Sequence, residues 1–85
     1  MDWFEKISET EQHAINLERT ARFDRMGVNK ALLFFEASWD RGRIVAPEQL
    51  LPILDKIATQ RGYLHMAQAR AASLAERIRA GKLPN

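Results

Sequence analysis

His13 stands four residues after Glu9 and eight after Glu5, a spacing that puts all three along one side of a helix. A Glu and a His one turn apart can share a metal ion, but two ligands do not complete a site. His65, the other histidine, falls off the apolar seam of its own helix. Solvated helix faces are the simpler account of these groups, and no metal is expected.

Nucleophile chemistry is poorer still. Ser8, Ser38 and Ser73 all fall inside predicted helices, and none follows the strained Gly-rich turn that exposes a catalytic serine. The four glycines are scattered, so no phosphate-cradling loop exists. Neither an enzyme nor a cofactor is expected.

Recognition chemistry is better represented. Arg41 and Arg43 flank Gly42 at a helix end, where guanidinium groups suit phosphates. Arg70 and Arg77 are seven residues apart and join Lys56 in a basic stripe beside the seam of the last helix. These four arginines, Arg41, Arg43, Arg70 and Arg77, are the candidates for a nucleic-acid surface. Against that reading, a helix-turn-helix would lead with Glu48, Gln49, Leu50, Leu51 and Pro52, which are wrong for a phosphate-lined groove. The stripe is equally explained by pairing with the acidic first helix. The preferred candidates are Phe34, Phe35 and Trp39, with Arg41 and Arg43 at their rim, as a face that binds another protein, and nucleic acid is the alternative. Packing in a core or a dimer competes for the same three aromatics.

The elements that must position these residues are helical throughout. Eighty-five residues with no cysteine make a single domain, without disulfides or a Cys-based zinc site. Helices 1–81 with a short tail over 82–85 are the expected organisation. At 46% apolar and 28% charged the composition is that of a folded chain. Asp2 and Glu5 have capping-box spacing, and Trp3, Ile7, Thr10, Ala14, Leu17 and Ala21 form a seam, predicting a first helix over 3–25. Asn29 is a cap for a second helix from Lys30 to Arg41. That second segment is apolar all round, which predicts burial all round and hence a second copy of the chain as cover.

The third segment starts at Pro47. Leu50, Ile53, Ile57, Gln60, Leu64, Ala67, Ala71, Leu74 and Ile78 alternate three and four, a coiled-coil-like heptad seam. The phase holds through Gly62, which predicts one long helix bent at Pro52; a turn at Gly62 gives four helices instead of three. Charge runs from −4 over residues 1–18 to +4 over 61–85, for a net +2. Such a gradient suits antiparallel packing of the first and last helices, within one chain or across a dimer. The acidic N-terminal residues and the absence of a long apolar run lead to the expectation of a cytoplasmic protein without membrane contact. Nine Arg and twelve Ala against four Lys fit a GC-rich bacterial genome. The whole reading is an all-α, dimeric helical bundle, a small regulator that binds another protein, with nucleic acid as the alternative partner.

Overall fold

A computed structural model describes residues 7–81. Its elements are α1 (Glu9–Phe23), α2 (Val28–Asp40), α3 (Leu51–Thr59) and α4 (His65–Arg79), with 3-10 turns at Arg25–Gly27 and Pro47–Leu50. No strand occurs among the described residues, and none of their helices is long and apolar enough to cross a membrane.

Each boundary has a local cause. Ser8 is extended, and its hydroxyl accepts from the Glu11 amide at 3.1 Å, so α1 begins after Ser8 rather than at Trp3. The Asp2–Glu5 box, Trp3 and Phe4 lie outside the described residues, as does the 82–85 tail. After Phe23 the Asp24 carboxylate accepts from the Gly27 amide at 3.2 Å, and one 3-10 turn leads directly into α2. A Cβ at position 27 would sit 2.6 Å from Asp24 Oδ2, which explains a glycine there. Pro52 falls in the first turn of α3, where its missing N–H is not needed, so it bends nothing.

The single long C-terminal helix is corrected: the chain turns at Gly62, with φ +99°, a conformation that side-chain-bearing residues rarely adopt. α3 and α4 form a hairpin. Ala67, Ala71 and Ala75 are buried on α4 and allow α3 to approach closely, giving the most extensive helix pair of the fold. The heptad keeps phase because both arms of the hairpin present their apolar side to the same core. At the turn itself Gln60 and Leu64 are exposed.

The helices neighbour one another in the cyclic order α1, α2, α4, α3, and back to α1. α1 and α4 are diagonal and do not pack together, so the expected antiparallel pairing of the first and last helices within one chain is also corrected. The basic side of α4 faces α2 instead: Arg70 pairs with Glu36 at 2.9 Å and Arg77 with Asp40 at 3.0 Å. Arg79 pairs with Asp55 within the hairpin.

The core lies inside this ring. Leu17 and Ala21 enter from α1, and Val28, Ala31, Leu32, Phe35 and Trp39 from α2. Leu50, Ile53, Leu54 and Ile57 meet them from the α3 side, and Tyr63, Ala67, Ala71, Leu74 and Ala75 from the α4 side. At roughly 1.5–3 kcal/mol per fully buried large side chain, this cluster outweighs the surface ion pairs at about 0.2–1 kcal/mol each. The reading of α2 as apolar on every side is therefore half right. Its buried face is covered by its own chain without a second copy, and Leu33 and Phe34 are left outside at 42% and 54% exposure.

Candidate functional site

α1 and α2 run side by side from the Asp24 turn, leaving an open trough between their outer faces. At one end Gln12, His13, Asn16, Phe34, Ala37, Ser38 and Arg41 line about 530 Å³. A second depression, about 290 Å³, continues past Asn16 and Phe34 to Thr20, Asp24, Gly27, Lys30 and Ala31. Phe34 and Asn16 belong to both, so the two form one trough with Phe34 at its middle. The residues recur by helical turns: Gln12, Asn16 and Thr20 on α1, and Lys30, Phe34 and Ala37 on α2 with Arg41 at its C-cap.

The wall carries one polar pair. His13 Nε2 lies 2.9 Å from Ser38 Oγ, and the ring meets Phe35 edge-on at 5.7 Å between centroids. Burial pushes the His13 pKa below its ordinary 6.5, with the Glu9 carboxylate partly opposing, so the ring is neutral at neutral pH. A Ser–His contact invites comparison with a hydrolase triad, and the geometry differs in two respects. Glu9 Oε2 approaches the same Nε2, at 4.0 Å, rather than the far nitrogen where an orienting carboxylate belongs. Ser38 also sits within α2, where the backbone amides around it are engaged in the helix and at its C-terminal end rather than aimed at an oxyanion. Among the described residues no three His, Cys, Asp or Glu side chains gather as a metal-holding group.

The sequence candidates separate on inspection. Phe35 and Trp39 are core residues, 0% and 3% exposed, their rings packed at a 46° tilt with centroids 5.6 Å apart, and a partner cannot touch them without unfolding α2. Phe34 is accessible. Arg41 lines the trough beside it, whereas Arg43 leans toward Glu9 at 3.7 Å. Arg70 is held by Glu36 and by the Asn29 side chain at 3.1 Å. Arg77 pairs with Asp40 and lies 4.3 Å over the Trp39 ring. Three of the four suspected phosphate-binding arginines are thus already engaged within the fold. Arg41 makes no ion pair with any described residue.

Gln12, Asn16, His13 and Ser38 escaped the sequence reading as a group. Their recurrence at three and four residues was the available signal, but nothing in the sequence joins α1 to α2 at that register. No family model, curated protein or solved structure matches this chain, so its function must be read from this geometry.

Proposed function

We propose that the protein is a non-catalytic binding module that docks another protein in the trough between α1 and α2. Phe34 carries this reading. A large aromatic side chain, 54% exposed, occupies the middle of a polar-walled trough and adds little to the core beneath it. Partner surfaces are typically anchored by such an aromatic with donors around it, here Gln12, Asn16 and Arg41. Adaptors, inhibitors and chaperone-like regulators all act by docking of this kind. Nucleic acid is the weaker occupant, because Arg43, Arg70 and Arg77 spend their charge on Glu9, Glu36 and Asp40.

A photoreactive benzophenone residue in place of Phe34 tests this in extract of the source cells. The expected result is a discrete adduct that survives nuclease, is competed by excess native protein and is not competed by the Phe34→Ser variant. The same probe at Ser73, exposed on α4, should give none. Loss of the adduct on nuclease treatment, or equal labelling from both positions, would overturn the reading.

A further inference from the structure

We infer that the partner presented to this trough is an acidic amphipathic helix, with an apolar side chain set on Phe34 and carboxylates reaching Lys30 and Arg41. The inference rests on the docking reading above and specifies the chemistry of its occupant.

Lys30 on α2 and Arg41 at its C-cap are eleven residues apart, three turns almost in register, hence on one face and about 16 Å apart along the axis. Phe34 lies between them, with the Lys30 ammonium 6.0 Å from its ring. The short Ala37 side chain is the only other trough residue on α2 between Phe34 and Arg41 besides Ser38, so an approaching backbone meets little bulk there. Arg43 after α2 and Arg70, Arg77 and Arg79 on α4 each meet a carboxylate, whereas neither Lys30 nor Arg41 has an ion-pair partner among the described residues. The one acid lining the trough, Asp24, is committed to capping the Gly27 amide. What remains is a cation, an aromatic and a second cation in a line, the complement of acid, apolar and acid on a facing helix.

The same charges argue against two other occupants. A second copy laid trough to trough would set Lys30 and Arg41 against their own duplicates, a like-charge arrangement that costs affinity. A polyanion such as nucleic acid would find Lys30 and Arg41 in the trough with Arg19 at its edge, and would meet the Glu9 carboxylate beside His13 and the Asp24 carboxylate at the far end.

Anisotropy titration with labelled synthetic helical peptides tests the inference. One peptide carries Glu, Leu and Glu at spacings of four and seven residues; a control carries Lys in place of both Glu; a third probe is a duplex DNA. The Glu peptide should bind, and the Lys peptide and DNA should not at the same salt. Lys30→Ala and Arg41→Ala should each weaken binding about two- to five-fold, as rim ion pairs do, with thermal melting unchanged. Arg41→Glu should shift preference toward a peptide with Lys at the matching end. Equal binding of Glu and Lys peptides, tighter binding of DNA, or a dimer in sedimentation that Phe34→Ser dissociates would each overturn the proposal. A Phe34 photoadduct with a protein alongside no binding of the Glu peptide would reject this partner chemistry while leaving docking in place. Absence of both would reject docking itself.

Discussion

Thr10 holds both backbone groups of Val45: its hydroxyl donates to the Val45 carbonyl at 2.7 Å and accepts from the Val45 amide at 3.0 Å. Thr10 is wholly buried on α1, and Val45 lies in the connector between α2 and the Pro47 turn. One side chain therefore fixes where the chain leaves α2, and with it the exit of Arg41 and Arg43. Thr10→Val keeps the shape and removes both bonds, and should cost about 1–3 kcal/mol in urea unfolding. The Val45 amide should exchange faster in that variant, and Thr10→Ser should retain most of its protection. An unchanged midpoint and unchanged exchange would show that the clasp does not form.

Gly62 gives a prediction whose sign depends on the hairpin. In a continuous helix, Gly62→Ala would stabilise by about 1 kcal/mol. At φ +99°, an added Cβ is strained and meets the Arg25 guanidinium, which bonds the Arg61 carbonyl at 3.3 Å and lies 5.0 Å over the Tyr63 ring. Gly62→Ala should therefore destabilise by about 1–3 kcal/mol, read as a lower denaturation midpoint. A raised midpoint would restore the single long helix.

His13 links the trough to pH. Its folded pKa lies below the ordinary 6.5, so below that value the unfolded chain binds more protons than the folded one at this position. The His13 contribution to stability is therefore complete above 6.5 and declines as pH falls toward the depressed folded value. Urea midpoints should drop between about pH 7 and pH 5, and His13→Gln should drop less over the same interval. Identical slopes for both proteins would remove His13 from the account.

Much of the fold was legible in residue spacing. Thr10, Leu17 and Ala21 mark the buried side of α1 as their seam predicts, and Ile53, Ile57, Ala67, Ala71 and Leu74 do so for the hairpin. The turn at Gly62 was hidden because an apolar seam in register is what two helices facing one core also produce. The charge gradient misled for a related reason. Glu36 and Asp40 lie outside the acidic stretch over residues 1–18, yet they are the acids that Arg70 and Arg77 meet, since α2 and not α1 neighbours α4. The trough was the least legible part. Phe34 and Phe35 are the same residue type in adjacent positions, and only the packing of α1 and α4 around α2 decides that one is enclosed and the other is not. His13 and Ser38 are twenty-five residues apart and meet only across that packing.

That division between two adjacent phenylalanines is the centre of the account, and paired urea unfolding of Phe34→Ser and Phe35→Ala tests it most directly. Phe35→Ala should lose about 3–5 kcal/mol, the cost of emptying a core site. Phe34→Ser should stay within about 0.5 kcal/mol of the native protein, because a side chain on the surface is dispensable to the fold. A loss above about 2 kcal/mol in Phe34→Ser would contradict the account, since that cost belongs to a core residue with nothing left to offer another molecule.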